Sequence, residues 1–326
     1  MLLVFCELCM HTCAFKHGEF MLNNFIRKGL FPTWLSLGLL GALLGIEFGW
    51  PIEFLVMSIA ILTVAVVHIS ERRVPFKERW NKGVGDTQAD FISLAVVLGA
   101  LEPLSKLLTA WLLSMLLASL AYMSEWRVFP SDWPLLAQLL IFALGTEFGR
   151  YWIHRFSHRN EYLWRFHASH HSAERLYQFN GYRIHPVNYL WNYVLGQLPL
   201  ILLGASEDVV MLYFVLSSIV AAFQHANIES QNGMLNWIFS TNELHRWHHT
   251  TDRRIGDKNH GSVLIVWDLV FGSYFLPAKN QKLGDVGLSS PMAYPVTNYF
   301  RQLVVPFCWR KCVTDVSTNN VSDRGE

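Results

Sequence analysis

The 326-residue sequence has few charged side chains for its length. Asp, Glu, Lys and Arg make up 16% of it, whereas soluble domains carry about 25%. The net charge is only +1, so the basic footprint of a nucleic-acid-binding protein is also missing. Hydrophobic residues account for 52%, and the 13 Trp, 22 Phe and 11 Tyr suit bilayer interfaces and apolar pockets. The composition therefore predicts an integral membrane protein.

Cysteine is scarce and is absent from the middle of the chain. Three of the five lie near the N-terminus and two near the C-terminus: Cys6, Cys9, Cys13, Cys308 and Cys312. The first two form a CxxC with His11 close behind, which is compatible with a small metal or redox site. Incidental thiols in a loosely ordered N-terminus are the simpler interpretation. The first 15 residues lack a basic region and a cleavage motif, so we expect no signal peptide.

Long apolar runs are frequent, and several match the roughly 17–25 residues that a membrane-spanning helix needs. We expect spans at residues 33–50, 52–70, part of 90–123 beyond a break at Pro103, and 134–153. The runs 189–204 and 209–222 are shorter and predict a hairpin that does not fully cross.

These runs predict an all-α, multi-pass membrane helical bundle. From the histidine groups described below we expect it to carry a cytoplasmic, histidine-rich cap that binds two metal ions. We expect residues 1–30 to form an N-terminal cytoplasmic segment and 31–133 to form transmembrane helices. Residues 134–280 are then the catalytic domain. Residues 281–326 form a C-terminal segment with a disordered tail.

The basic residues indicate which side of the membrane the loops occupy. Residues 71–82 carry five Lys and Arg, whereas 124–133 carry only Arg127 and 205–208 carry none. Because cytoplasmic loops are enriched in positive charge, the N-terminus and 71–82 are expected inside. Counting spans from there brings the chain back to the cytoplasm at about His154.

Histidines are concentrated in one part of the chain, with 11 of the 14 between His154 and His260. Eight of them form one HxxxH and two HxxHH groups: His154, His158, His167, His170, His171, His245, His248 and His249. Residues three or four apart share a helix face, so each group can direct several imidazoles at one place. Eight imidazoles, with His225 as a predicted ninth, are too many for one ion and indicate a pair.

The type of ligand leaves several metals open, because imidazole suits zinc, copper, iron and nickel. A lone catalytic zinc needs only three protein ligands, and the HExxH motif of a zinc hydrolase is missing. The paired Glu-x-x-His motifs of carboxylate di-iron bundles are missing too. We therefore favour two iron ions that bind O₂ between them. The alternatives are a zinc-dependent membrane hydrolase and a bis-histidine haem protein that carries electrons across the membrane.

Other polar residues are candidates for supporting roles. His185 is expected to support the ligands, to face the substrate or to bind metal, and His260 to be structural or to support the ligands. Glu147 and Arg150 lie just before His154, where ionisable groups are costly. They are expected to support the ligands or to contact a lipid headgroup, with an interfacial ion pair as the alternative. Asp252, Asp257 and Asp268 are further candidates for ligand support.

The motifs together resemble the fatty acid hydroxylase/sterol desaturase superfamily over roughly residues 140–280. Besides the histidine groups, the resemblance includes the segments NGYRIHP at 180–186, FQHAN at 223–227, NELHRWHH at 242–249 and DKNHG at 257–261. It is similar in character to sterol-desaturase-like and alkylglycerol-monooxygenase-like bacterial members. Members of the fatty-acid-hydroxylase type have a further histidine where this sequence has Glu229.

The resemblance implies a di-iron centre, O₂ as co-substrate and an external electron donor of the cytochrome b5-like, ferredoxin-like or pterin kind. The expected reaction is hydroxylation or desaturation of a C–H bond in a sterol, a fatty acyl chain or an ether lipid. The implied ligands are the eight grouped histidines and His225. Asn180, Asn227, Asp257 and Asn259 lie in the same motifs and are expected beside the ligands or the substrate.

Overall fold

A computed structural model describes residues 17–119, 128–289 and 293–313. The chain in these ranges is built of helices and short connections, and its β-structure consists of isolated bridges such as the one between Pro75 and Ile228. This confirms the predicted all-α class. The N-terminal CxxC and the predicted disordered tail lie outside the described residues, apart from the first residue of the tail.

The first two membrane helices form the predicted hairpin. Helix α1 is Leu30–Glu47 and helix α2 is Ile52–Arg73. Gly49 in the turn has a φ of +64°, a conformation that side chains disfavour, and Pro51 precedes the first turn of α2. At about 1.5 Å per residue, the 22 residues of α2 are long enough to cross a hydrocarbon core of about 30 Å.

The next apolar stretch is one long helical rod with an irregularity in its middle. Helix α3 is Thr87–Val96, a π-helical turn follows at Val97–Leu101, and helix α4 is Glu102–Ser119. Pro103 is the second residue of α4 and has no N–H to donate to the preceding turn, which is the π-helical one. The predicted break at Pro103 is therefore a π-turn rather than an interruption of the helix.

Helix α5, Leu135–Arg159, carries the HxxxH group at its C-terminal end, and the buried helix α9, Glu207–Gln224, packs against α1, α2 and α5. The elements between them are helix α6 (Glu161–His171), a 3₁₀ turn (Gln178–Tyr182), helix α7 (Pro186–Asn192), a π-turn (Tyr193–Gln197) and helix α8 (Leu198–Leu202). Beyond α9 come a 3₁₀ turn (Gly233–Trp237), α10 (Asn242–His248), α11 (Arg253–Gly256), α12 (Val266–Val270), α13 (Tyr299–Val304), a 3₁₀ turn (Val305–Phe307) and α14 (Trp309–Cys312).

Among the described residues, four helical stretches are long and apolar enough to span a membrane: α1, α2, residues 87–115 and α9. Residues 209–222, which were expected to stop short of crossing, lie in α9, and its 18 residues from Glu207 to Gln224 are long and apolar enough to span. The Ser206 hydroxyl caps this helix by accepting from the Val209 N–H. Helix α5 is not among the four, although residues 134–153 were expected to span.

The histidine-rich elements and the basic loop lie at the same end of the bundle, as the charges predicted. Helix α2 ends there, α3 begins there, and α5 and α9 end there. The loop after α2 contacts the segment after α9: the Phe76 N–H donates to the Asn227 carbonyl at 3.0 Å, and the Lys77 N–H donates to the Asn227 side chain at 3.0 Å. One end of the bundle thus carries both the candidate site and the positive charge.

This arrangement predicts the labelling of single cysteines placed in a cysteine-free background. Arg79→Cys and Arg254→Cys should react with a membrane-impermeant maleimide from the same side of the membrane. Trp50→Cys, in the turn between α1 and α2, should react only from the other side. Labelling of all three from one side would contradict a spanning α2.

Candidate metal centre

The short connection between α5 and α6 brings the histidines of these two helices close together. Asn160 joins the two helices as a single-residue link and caps α6, because its side chain accepts from the N–H groups of Tyr162 and Leu163. The sharp turn brings the end of α5 against α6. Helix α10 and the residue after α9 supply the remaining imidazoles, and all nine predicted ligands are buried or nearly so.

The nine imidazoles form two groups, in each of which one nitrogen per histidine lies within 4.8 Å of the others. The five-histidine group is His154, His158, His167, His171 and His248. The four-histidine group is His170, His225, His245 and His249. Each HxxHH motif contributes to both groups, so the two groups are adjacent, and the rings of His171 and His249 stack at 4.3 Å between centroids.

The nitrogen positions fit a cation in each group. Nε2 of His245 lies 3.0 Å from Nε2 of both His225 and His249, and the Nε2 atoms of His167 and His171 are 3.1 Å apart. Ligand nitrogens about 2.0–2.1 Å from a shared ion are separated by about 2.9–3.4 Å. Nε2 of His154, His158 and His248 is buried and has no hydrogen-bond partner among the described residues. A metal ion would satisfy all of these lone pairs.

The outward-facing nitrogens of five ligands make hydrogen bonds that fix ring orientation. Each Nδ1 donates to an oxygen, which leaves the lone pair on the inward Nε2. The acceptors are the carbonyl of His260 for His154 (2.6 Å), Asp257 for His158 (3.3 Å), Asn188 for His167 (2.8 Å), Asn180 for His225 (2.9 Å) and the carbonyl of Lys258 for His248 (2.8 Å).

Burial keeps these imidazoles neutral. It is the largest cause that lowers the pKa of His171 and His249 well below the usual value, and neighbouring histidines lower it further. The pKa of His225 falls to about 3, first through burial and then through the Arg183 charge. Protonation would place positive charge in a site with little water. Near pH 7 the lone pairs are therefore available to a metal.

Comparison with known proteins supports this chemistry. Residues 139–273 match the model of the fatty acid hydroxylase family. An ornithine lipid hydroxylase from Rhizobium tropici is 32% identical over 282 residues, which cover 85% of this chain and 83% of that protein.

The chain belongs to the fatty acid hydroxylase family. It is therefore an oxygen-dependent oxidoreductase that hydroxylates membrane lipids.

Other relatives in the family match over shorter regions. Human alkylglycerol monooxygenase is 30% identical over 63% of this chain and 44% of its own length. Sphinganine C4-monooxygenase 2 of Arabidopsis thaliana is 25% identical over 48% of this chain and 61% of its own. The chain thus spans less than half of the human relative. No solved structure matches it.

The family's additional histidine has no counterpart in this site. Glu229 at that position forms an ion pair with Arg27 at 2.7 Å, and half of its side-chain surface is exposed. It is not part of the four-histidine group. The two groups therefore differ by one ligand.

The residues that were predicted to support the ligands have different hydrogen-bond partners in the structure. Asn180 accepts a hydrogen bond from His225, and Asp257 accepts one from His158. Asn227 binds the basic loop through Lys77 and Asn81. Asn259 has a φ of +55° and holds the turn before His260 through the backbone of Leu244 and Phe275. Asn188 was not foreseen, since nothing in its local sequence distinguishes it.

The remaining acidic candidates bind backbone N–H groups rather than histidines. Glu147 accepts from the N–H groups of residues 262, 263 and 264 and from the hydroxyl of Tyr213. Asp268 accepts from the N–H groups of His260 and Gly261, which places the carbonyl that His154 binds. Asp252 caps the short helix α11.

Two histidines outside the groups have distinct environments. His185 caps α7: its Nδ1 accepts from the Val187 N–H, and its Nε2 lies 3.2 Å from the Leu303 carbonyl. The ring of His260 lies beside the five-histidine group, 5.3 Å from the ring centre of His154 and 5.1 Å from that of His158. His185 is thus a helix cap, whereas His260 lies against the site.

An opening leads to the five-histidine group from the loops at this end of the bundle. The imidazoles of His158, His171 and His248 line it, together with Trp164, Thr250, Arg253, Gly256, Asp257, Gly287 and Ser289. No histidine of the second group lines this opening. Small molecules from water would therefore reach the five-histidine group first.

The contacts predict a contrast between two histidine substitutions. His225→Ala should lower the metal content of the purified protein, because it removes one imidazole of the four-histidine group. His185→Ala should leave the metal content unchanged and reduce thermal stability by about 1 kcal/mol, the usual worth of a helix cap. Elemental analysis and thermal unfolding check the two variants. Equal metal loss in both would contradict the division made here.

Proposed function

We propose that each histidine group holds one iron ion and that the pair forms the centre of a lipid hydroxylase. The nine grouped histidines would be the ligands, and residues 134–280 would form the catalytic part. The observation that carries this proposal is the convergence of nine buried, neutral imidazoles on two adjacent points. When bound, the irons supply the oxidising power that inserts an oxygen atom from O₂ into a C–H bond.

The ring geometry favours this over the two alternatives. A haem needs a flat gap between two axial imidazoles, but imidazoles fill the space here, with neighbouring ring centres 4.3–5.5 Å apart. A zinc hydrolase needs three ligands and an open position. It would leave most of these nine ligands unused.

The substrate that the comparisons favour is a membrane lipid with an amino-acid headgroup. The relative matched over most of both chains is named as an ornithine lipid hydroxylase. The relatives quoted above are named as hydroxylases or monooxygenases, which favours hydroxylation over desaturation. The lipid would arrive from the bilayer between the apolar helices.

The residues of this chain would orient the ligands and keep water away from the reacting carbon. Asp257 fixes the ring of His158, and its partly exposed carboxylate can pass a proton to water. Asn180 and Asn188 fix two further rings. Burial of the remaining imidazoles excludes bulk solvent.

We propose that the site faces the cytoplasm, on the strength of the basic loop at the same end of the bundle. Electrons would come from an external donor: a cytochrome b5-like protein, a ferredoxin-like protein or a pterin. Arg253 and Arg254 are exposed near the opening and suit an acidic protein. Arg246 is buried and donates to the carbonyls of Asn242 and Ile228, so it is unsuited to docking.

The proposal predicts the outcome of a reconstituted assay. The protein in lipid nanodiscs is given ornithine lipid, ferredoxin, ferredoxin reductase, NADPH and isotopically labelled O₂. Mass spectrometry should show one labelled oxygen atom in the lipid. Elemental analysis should show two irons per chain, and the optical spectrum should lack a Soret band.

His248→Ala is the matched negative control, since it removes one imidazole of the five-histidine group and should lose both iron and product. Unlabelled product, or activity of the variant equal to that of wild type, would contradict the proposal. Product from alkylglycerol but not from ornithine lipid would keep the hydroxylase and overturn the choice of substrate.

A further inference from the structure

The opening beside the five-histidine group is too small for a reducing cofactor to enter. Its free space is about 20 Å³, which is about the room that one water molecule needs. A reduced pterin, flavin or nicotinamide ring is far larger, so it cannot reach the imidazoles through this opening. Electrons that arrive here from the aqueous side therefore have to cross from the rim of the opening to the histidines through side chains.

Two side chains on the rim contact the histidines directly. Oδ1 of Asp257 lies 3.3 Å from Nδ1 of His158, and 40% of the Asp257 side chain is exposed. The partly buried indole of Trp164 lies 5.4 Å, between ring centres, from both His158 and His171. Asp257 and Trp164 both line the opening. One hydrogen bond or one ring contact thus separates the protein surface from imidazoles of the five-histidine group.

Two unpaired arginines flank the opening. Arg253 lines it, and Arg159 is next in sequence to a histidine that lines it. Both are exposed, and neither forms an ion pair among the described residues. The acidic side chains beside them are already engaged, since Asp252 pairs with Arg254 at 3.2 Å and Asp257 contacts a histidine. The free positive charge at the rim is complementary to a partner with an acidic surface.

We propose that this rim is the docking surface of an acidic redox protein that delivers one electron at a time to the five-histidine group. The inference rests on the proposed function for the reaction that uses the electrons. Hydroxylation converts R–H, O₂, two electrons and two protons to R–OH and water. Two reduced partner proteins are therefore oxidised in each turnover, and water supplies the protons. Of the donors expected above, this choice keeps the two redox proteins and excludes the pterin.

Binding of the partner can be measured without turnover. The protein in lipid nanodiscs is titrated with two acidic probes, a plant-type [2Fe–2S] ferredoxin and a cytochrome b5. At least one probe should bind, and raising the salt concentration from about 0.05 to 0.5 M should weaken its binding because exposed charges are screened. Binding of neither probe, or binding that salt does not affect, would overturn the proposal.

Charge reversal tests the position of the docking surface. The double variant Arg159→Glu, Arg253→Glu should bind the probe about 10-fold more weakly or worse, because it repels an acidic partner. The variant with lysine at both positions should keep most of the affinity, since it retains the charge. Lys28→Glu reverses an exposed charge before α1, away from the rim, and should bind as wild type. Equal weakening by Lys28→Glu would contradict docking at the rim.

Electron transfer provides a second measurement. The oxidised, iron-loaded protein is mixed without O₂ with either the reduced redox protein or a tetrahydropterin, and the absorbance of the donor is followed. The charge reversal should slow the reaction with the redox protein about 10-fold and leave the reaction with the pterin unchanged. Faster reduction by the pterin than by the redox protein, at equal concentrations in wild type, would overturn the proposal.

The outcomes separate this inference from the proposed function. Absence of iron from the purified protein would overturn the di-iron centre, while the salt dependence of partner binding would still decide the docking surface. Oxygen incorporation driven by the pterin, with no binding of either redox protein, would leave the hydroxylase and overturn the docking surface.

Discussion

The structure depends on placing nine neutral imidazoles in a small, water-poor space at one end of a membrane bundle. Each buried nitrogen left without a partner costs about 1–3 kcal/mol. The short Nε2–Nε2 distances would be unfavourable between lone pairs with no cation among them. Ions held by the proposed site would satisfy the inward nitrogens and would also stabilise the helix ends that carry them, so metal binding would be coupled to folding of the cap.

The cap is held to the bundle by buried charges in addition to the apolar core, which extends to Ile228, Val263 and Leu264. Arg175 and Arg183, on the chain that follows α6, bind Asp86 and Asp90 at the start of α3. Oε1 of Glu71, near the end of α2, accepts from the N–H groups of Gln178 and Asn227, one on each side of the four-histidine group. Buried ion pairs recover their desolvation cost only with good geometry, and these bonds of 2.6–3.5 Å are mutually satisfied. Such directional contacts fix the positions of the histidines more strictly than apolar packing would.

The two histidine groups are unequal in the number of imidazoles and in their surroundings. Histidines of the five-histidine group line the opening toward the loops, and none of the four-histidine group does. Glu229 forms an ion pair with Arg27 and is not part of the four-histidine group. If both groups hold an ion, the two ions would therefore differ in the number of histidines around them.

The sequence by itself determined the features that depend on short-range periodicity and composition. The all-α class and the α1–α2 hairpin follow from apolar runs and Pro51. The histidine motifs follow from i, i+3 and i+4 geometry, which any helix imposes. The shared end of the basic loop and the histidines follows from loop charge and the number of spans.

Only the tertiary structure decided which histidines share an ion and what each supporting residue contacts. Asn188 and Asp257 are 21 and 99 residues from the imidazoles they orient, and no local pattern encodes such distances. His185 lies within a motif of the family, yet it caps a helix, because its two ring nitrogens bind the backbone of Val187 and Leu303. Glu147 binds the backbone of the 262–264 turn, more than 100 residues away, which its local sequence does not indicate. Local geometry predicts which face a side chain occupies, but its partner depends on how distant segments pack.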